Sequence, residues 1–268
     1  KHPDLIRKAV KEIRKIERVK PVKLTFSYVT NGQNYALTKS LIEDGFIDGL
    51  HTGLSYDGDS HPSSGHNSIE AVKTIGGMLG SVNTVLTMET MNNIDSILQL
   101  MLDSNVTSWS YYLLLDYDTY SDPEFLESFR SKFLPAVLKA YNDGLKVYNI
   151  EEFEKSSKMA TKSLWCKDNN FIINVDGSIS PCGIEMTFCR FNPNPLPSPL
   201  NLSCTNEELV NYLNNHIKAC HKQNVCDYTH CRANQCIECS GIAKVRKNKF
   251  QACKLRLIEY DFYFNHLR

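Results

Sequence analysis

The sequence predicts an α/β protein with a parallel sheet or barrel, followed by a small cysteine-rich α+β domain. Two observations lead to this fold class. Helical and strand patterns alternate as far as Ile150, and such alternation implies right-handed crossovers between parallel strands. All ten cysteines lie between Cys166 and Cys253, where the alternation has stopped. We place a domain boundary near residue 160, which gives domains 1–160 and 161–268.

Each predicted element has its own signal. Residues 3–18 repeat apolar side chains at helical spacing, and Val22–Thr30 is a β-branched and aromatic strand that Asn31-Gly32 closes. Similar patterns continue along the chain. The further predicted strands are Phe46–Ser55, Val82–Met88, Trp109–Leu115 and a short one at Leu145–Ile150; the further helices are Asn34–Asp44, one carrying Ile69 to Met78, Ile94–Leu102 and Pro123–Tyr141.

The pattern changes from about Ser163. Phe171–Val175 and Ser178–Ser180 flank Asp176-Gly177, which predicts a β-hairpin with the Asp-Gly pair in its turn. A proline-rich connection follows, then a predicted helix over Asn206–Ile217 and the cysteine cluster. This short-element arrangement favours a second, smaller domain.

Composition excludes several functional classes. Lys plus Arg and Asp plus Glu number 30 each, so no global charge points to nucleic acid or a membrane surface. No apolar run is long enough to span a bilayer, and the amphipathic start is unlike a targeting signal. We expect a cytoplasmic protein with neither nucleic acid nor membrane as partner. The start on a helix, without methionine, suggests a fragment.

Polar residues follow the apolar strands at their carboxyl ends, where parallel α/β folds carry their chemistry. These stretches begin at Thr30, Ser55, Thr87 and Asp116. Asp116 and Asp118 are weak catalytic candidates, because a carboxylate there could position a substrate or accept a proton.

The cysteines form the second candidate site. Five of them follow the spacing C-x5-C-x4-C-x4-C-x2-C from Cys220 to Cys239. Such crowding suits a shared ligand, which leaves an iron–sulfur cluster, zinc or disulfides as the choices. Cys189 and Cys204 fit no motif. The candidate ligands are Cys166, Cys182, Cys220, Cys226, Cys231, Cys236, Cys239 and Cys253.

Three stretches together resemble the radical S-adenosylmethionine enzymes that carry a C-terminal SPASM-type auxiliary cluster domain. They are FSYVTNG (26–32), GLSYDG (53–58) and IINVDGSISPC (172–182), with the cysteine cluster downstream. The resemblance implies a partial (β/α) barrel that lacks its first two strands. It also implies cofactor-binding roles for Asn31, Ser55 and Asp57, with Ser55 facing the cosubstrate and Asp57 holding its loop.

The resemblance further implies what the protein does. Such enzymes bind a [4Fe–4S] cluster and S-adenosylmethionine, form a 5′-deoxyadenosyl radical, and abstract hydrogen from a substrate. A SPASM-type domain adds auxiliary [4Fe–4S] clusters and indicates an oxidoreductase or maturase that modifies a peptide or protein. The implied partners are that substrate and an electron donor such as a flavodoxin or ferredoxin.

The sequence departs from the family in its cysteine run, whose spacings of 5, 4, 4 and 2 differ from the family's C-x2-C-x5-C-x3-C and leave open which cysteine would serve which cluster. It also departs from the family at the catalytic cluster. The C-x3-C-x2-C loop that holds the catalytic cluster and the Gly-Gly-Glu segment are absent from these 268 residues. We therefore expect a fragment or truncated form, inactive alone. The alternative is a non-catalytic module for protein binding, stapled by zinc or by a cluster.

Overall fold

A computed structural model describes residues 3–58, 67–113, 122–158, 172–173, 177–180, 200–201, 203–223 and 249–267. The chain packs as two compact units, Lys1–Glu152 and Phe153–Arg268. The first unit confirms the predicted α/β class, because a parallel four-stranded sheet alternates with helices.

The sheet of the first unit has the order β1-β2-β3-β4, so each strand lies beside the next one in the chain. All three pairs are parallel. Sequential order with right-handed crossovers places the connecting helices on one side of a sheet. The strands are β1 (Val29–Thr30), β2 (Gly53–Ser55), β3 (Ser81–Leu86) and β4 (Trp109–Leu113).

Helices begin and end close to the predicted positions. Asn34 caps one of them by accepting a hydrogen bond from the Leu37 N–H, and Asp122 caps another ahead of Pro123. The described helices of the first unit are α1 (Pro3–Glu17), α2 (Tyr35–Glu43), α3 (Asn67–Ile75), α4 (Met88–Asn92), α5 (Ile94–Asp103), α6 (Pro123–Ser128) and α7 (Leu134–Asn142), with a π-helical turn at Phe129–Phe133 between α6 and α7. The next helix, α8 (Tyr148–Lys158), begins in the first unit and ends in the second.

One face of the sheet is buried. Leu54, Val82 and Trp109 lie side by side on β2, β3 and β4, and each is fully buried. Phe133 packs edge-on against Tyr111, with 4.9 Å between ring centroids. This layer is the core of the first unit.

Two of the observed strands, β1 and β2, are shorter than the sequence predicts. In Val22–Thr30 only Val29–Thr30 joins the ladder, although the Phe26 carbonyl also accepts a hydrogen bond from Asp48 N–H at 2.7 Å. In Phe46–Ser55 the Asp48 side chain caps a 3₁₀ turn at Gly49–His51. That turn delays the strand to Gly53 because its residues are not extended.

The prediction of a strand at Leu145–Ile150 is wrong. Val147 forms a single parallel bridge with Trp109, and α8 begins at Tyr148. The Asn149 side chain instead continues the pairing, accepting from the Tyr111 N–H and donating to the Tyr111 carbonyl, both at 3.1 Å. A side-chain amide thus replaces a further backbone pair.

The second unit contains the predicted hairpin. β5 (Ile172–Ile173) pairs antiparallel with β6 (Ser178–Ser180), and Gly177 has a φ of 78° in the left-handed region. A third strand, β7 (Leu200–Asn201), pairs with β6 and was not predicted. Two helices follow, α9 (Asn206–Gln223) and α10 (Lys249–His266). In the part of the chain that the structure describes, no helix is apolar over enough length to cross a membrane.

We expect the hydrogen bonds that cap the N-terminus of α9 to be lost in acid. The backbone N–H and the hydroxyl of Thr205 both donate to Glu208 Oε2, and these bonds hold the pKa of Glu208 below its ordinary value of 4.5. A carboxyl group with a lowered pKa stabilises the fold above its unfolded pKa, and this stabilisation is lost as the pH falls through the folded pKa. We expect a carbon-13 NMR titration of the Glu208 carboxyl to show a midpoint below 4.5. In Thr205→Ala the midpoint should rise part of the way back, and an unchanged midpoint would contradict the role of the hydroxyl.

Candidate functional site at the carboxyl ends of the strands

A row of polar side chains crosses the second face of the sheet. Ser55, Asn83 and Ser110 lie in register on β2, β3 and β4, and Ser110 Oγ donates to Asn83 Oδ1 at 2.6 Å. Ser55 and Asn83 are half-buried, while Tyr112, which shares this face on β4, is 50% exposed. This open face therefore carries hydroxyl and amide groups, although the Ser110 hydroxyl is itself buried, whereas the opposite face is packed in the core.

The carboxyl end of β1 is a tight polar turn. Thr30 Oγ1 accepts from the Gly32 N–H and Asn31 Oδ1 accepts from the Gln33 N–H, both at 3.2 Å. Gly32 has a φ of 78°, a conformation that favours glycine. The turn leaves the Asn31 side chain exposed at the edge where the strands end.

The carboxyl end of β2 holds Asp57, which is buried. Its Oδ1 accepts from the Val85 N–H of β3 at 2.5 Å, while the Tyr56 N–H donates to the Asn83 carbonyl at 2.8 Å. The carboxylate thus continues the pairing of β2 with β3 beyond the last paired residue. Ser55, two residues earlier, lies on the open face beside this junction.

Removing the Asp57 carboxylate is expected to lower the free energy of unfolding of the first unit by about 1–3 kcal/mol, because the Val85 N–H would lose its acceptor. The variant is Asp57→Ala, with Asp57→Asn as the matched control, since an amide oxygen can still accept. Urea unfolding would be followed by Trp109 fluorescence in a Trp165→Phe background. Equal losses in the two variants would show that this hydrogen bond does not carry the effect.

The carboxyl end of β3 leads directly into α4 through a reciprocal cap. The Thr87 hydroxyl accepts from the Thr90 N–H at 3.1 Å, and Thr90 Oγ1 accepts from the Thr87 N–H at 2.7 Å. The polar stretch predicted at this strand end therefore begins with Thr87, the cap of α4. The exposed side chain of this turn is Glu89.

A buried polar chain fixes the middle of the sheet from the core side. Trp109 Nε1 donates to Thr84 Oγ1 at 2.9 Å, and the Thr84 hydroxyl donates to the Tyr56 carbonyl at 2.8 Å. This chain holds β4, β3 and the end of β2 in one register. It thereby fixes the positions of Ser55 and Asp57.

The structure brings together three of the predicted site residues at one edge. Asn31 follows β1, Ser55 is the last residue of β2 and Asp57 lies two residues beyond it, and β1 and β2 are parallel neighbours. Asp116 and Asp118 lie outside the described residues. Sequence reasoning missed Asn83 and Ser110, because their contact depends on a strand register that periodicity alone does not supply.

Most of the predicted cysteine ligands also lie outside the described residues. Cys220 is within α9 and Cys253 within α10. Cys204, which fits no motif, is half-buried and forms no disulfide. Among the described residues no three metal-ligating side chains come together. The candidate ligands outside them are Cys166, Cys182, Cys226, Cys231, Cys236 and Cys239.

Two groups among the described residues of the first unit, Asp48 and Tyr148, have clearly shifted pKa values. The hydrogen bond from His51 lowers the pKa of Asp48, which is exposed at the 3₁₀ turn. Partial burial, with Glu152 nearby, raises the pKa of Tyr148 at the start of α8. The described edge presents the exposed amide of Asn31 and the half-buried hydroxyl of Ser55 as hydrogen-bonding groups.

Comparison with known proteins does not assign the chain to a family: no protein-family model matches it, and no curated protein matches it significantly.

Proposed function

We propose that the chain is part of a radical S-adenosylmethionine enzyme that modifies a peptide or protein, with a partial (β/α) barrel and an auxiliary iron–sulfur domain. One observation carries the proposal. Asn31 and Ser55, the residues for which the resemblance implies cosubstrate contacts, lie at the carboxyl ends of adjacent parallel strands. That edge is where parallel α/β folds bind their ligands.

The open face suits a polar cosubstrate. The Ser55 hydroxyl is half-buried beside the amide of Asn83, and the Asn31 side chain is exposed at the same edge. In the proposed role Ser55 and Asn31 orient S-adenosylmethionine by hydrogen bonds. Asp57 acts indirectly. Its Oδ1 accepts a hydrogen bond from the Val85 N–H and so holds the strand end that carries Ser55.

The donor set of the second unit suits iron–sulfur clusters. Thiolates are the usual protein ligands of [4Fe–4S] clusters, and the candidate region supplies eight of them. When bound, such clusters transfer electrons, and a flavodoxin or ferredoxin is the donor that this chemistry implies. The catalytic cluster motif is absent from the 268 residues, so the proposed activity requires a polypeptide segment that supplies it.

The proposal is tested by cleavage of S-adenosylmethionine to 5′-deoxyadenosine, measured on the chain joined to a segment carrying a C-x3-C-x2-C loop. We expect Ser55→Ala to raise the KM for S-adenosylmethionine about tenfold, the equivalent of one hydrogen bond. Ser81→Ala is the matched control, because Ser81 shares the open face but lies where β3 begins. Equal effects of the two substitutions, or no cleavage by the loaded protein, would contradict the proposal.

A second candidate is a non-catalytic binding module with a zinc-stapled cysteine domain. The observation that favours it is the ligand set, since four thiolates, or thiolates with His221 and His230, also suit tetrahedral Zn²⁺. Stoichiometric zinc without iron in the purified protein would select this function. Iron with acid-labile sulfide would exclude it.

A further inference from the structure

Two exposed tyrosines lie together at the β4 end of the open face. Tyr112 is on this face of β4 and is 50% exposed, whereas its neighbour Tyr111 is buried in the core. Tyr148 follows Val147, which is fully buried and bridges Trp109 on the core side. Successive residues of an extended chain point to opposite faces, so Tyr148, which is 40% exposed, falls on the open side with Tyr112.

The backbone around Tyr148 is held against the outer side of β4. The Lys146 carbonyl accepts from the Trp109 N–H at 2.8 Å. The Asn149 side chain bonds both backbone groups of Tyr111, each at 3.1 Å. β4 lies at the opposite end of the sheet order from β1. This surface is therefore formed by β4 and the start of α8, whatever pairs with β1.

A carboxylate completes the cluster. Glu152 lies one helical turn after Tyr148 on α8, and it accepts a hydrogen bond from the Tyr148 hydroxyl. Partial burial raises the pKa of Tyr148, and the charge of Glu152 and the nearby phenol of Tyr112 raise it further. A carboxylate accepts several hydrogen bonds at once, so the bond from Tyr148 does not saturate Glu152.

The charges around the two rings are mainly negative. Glu151 stands beside Glu152 in the chain, and its charge also raises the pKa of Tyr148. Lys146 is exposed where β4 begins, towards the other end of that strand from Tyr112. The polar row that continues the open face across β4, β3 and β2 consists of uncharged serine and asparagine side chains.

Two aromatic rings and a carboxylate suit a cation. The π electrons of a tyrosine ring attract a positive charge, whereas Glu152 would repel an anion. Among cationic side chains, arginine has a planar guanidinium that stacks on aromatic rings and donates two parallel hydrogen bonds to a carboxylate. The cluster offers both of these partners in one place.

We propose that Tyr112, Tyr148 and Glu152 form a binding site for an arginine side chain of a peptide. The guanidinium lies against the tyrosine rings and donates to the Glu152 carboxylate. The peptide backbone extends over the polar row of the open face, whose hydroxyl and amide groups are suited to hydrogen bonding with it. An arginine-containing peptide is thereby the substrate class of the proposed enzyme, and this last step alone rests on the proposed function.

The test is an NMR titration of the full chain carrying carbon-13 tyrosine rings. The probes are Nα-acetylarginine amide and Nα-acetylcitrulline amide, which has a similar shape but no charge. We expect the arginine compound to shift the ring signals of Tyr112 and Tyr148, assigned with Tyr112→Phe and Tyr148→Phe, in a saturable way that salt weakens. The citrulline compound should bind at least tenfold more weakly. The signals of Tyr28 and Tyr35, at the β1 end of the sheet, should not move.

Substitutions test the role of each group. Glu152→Gln should weaken arginine binding about tenfold, because the amide keeps the shape of the carboxylate but loses its charge. Glu154→Gln is the matched control, since it removes the same charge from another side of the same helix, and it should bind as the unsubstituted chain does. Tyr112→Leu should weaken binding about threefold by removing one ring. The comparison of arginine with citrulline needs no variant and therefore does not depend on a variant's folding.

Several outcomes would overturn the proposal. Equal binding of the arginine and citrulline compounds would mean that the rings accept a neutral ligand. Equal binding of Nα-acetyllysine amide would mean that charge alone suffices, and equal losses in Glu152→Gln and Glu154→Gln would remove the carboxylate from the site. None of these results depends on cleavage of S-adenosylmethionine, so a failure of this site and a failure of the proposed function are distinguishable.

Discussion

Replacing Phe133 by alanine is expected to lower the free energy of unfolding of the first unit by about 3–5 kcal/mol, the usual cost of removing a large buried ring. Phe133 is fully buried in the aromatic layer under the sheet. Its ring stacks on Phe129 at 5.4 Å between centroids and meets Tyr111 edge-on at 4.9 Å. Removing it leaves a cavity beneath β4, so both transfer energy and ring contacts are lost.

The matched control for Phe133→Ala is Tyr112→Ala. Tyr112 is also a ring carried by this region, but it lies on the open face and is 50% exposed, so its loss should cost about 1 kcal/mol or less. The two variants would be compared by urea unfolding in the Trp165→Phe background, where the fluorescence of Trp109 follows unfolding. Similar losses for the two substitutions would mean that the buried face is not the core of this unit.

Replacing three cysteines of the cluster together, as Cys231→Ser, Cys236→Ser and Cys239→Ser, is expected to remove at least half of the bound iron and acid-labile sulfide. Serine keeps the size of cysteine but supplies no thiolate, the ligand on which iron–sulfur clusters depend. The measurement is iron and sulfide per chain after anaerobic purification. A threefold substitution is needed because a single missing ligand can be replaced by a neighbouring thiolate.

Cys189→Ser with Cys204→Ser is the control for that loss. Neither residue fits a ligand spacing, and Cys204 is half-buried outside any disulfide. Iron content should therefore stay as in the unsubstituted chain. If the control loses as much iron as the threefold variant, the assignment of the cysteine run as ligands is wrong.

Periodicity was enough to predict the α/β class of the first unit and most of its helices, because amphipathic repeats such as those of α1 and α5 are local signals. The Asp176-Gly177 hairpin was predicted on the same local basis. The lengths of the strands could not be predicted in this way, because pairing depends on the neighbouring strand. The pattern of Val22–Thr30 predicts a strand over the whole segment, but only Val29–Thr30 pairs with β2.

The site shows the same division between local and long-range information. The polar strand ends at Asn31, Ser55 and Asp57 could be predicted, because parallel strands end at one edge. The hydrogen bond from Val85 N–H to Asp57 and the contact between Ser110 and Asn83 could not, because both join strands that are far apart in sequence.

The most direct measurement of the central claim is the metal content of the anaerobically isolated chain. If the cysteine region is an auxiliary cluster domain, the protein is brown, absorbs broadly in the visible, and contains iron and acid-labile sulfide in equal amounts. A colourless protein with stoichiometric zinc and no iron would contradict the radical S-adenosylmethionine proposal and leave the zinc-stapled binding module.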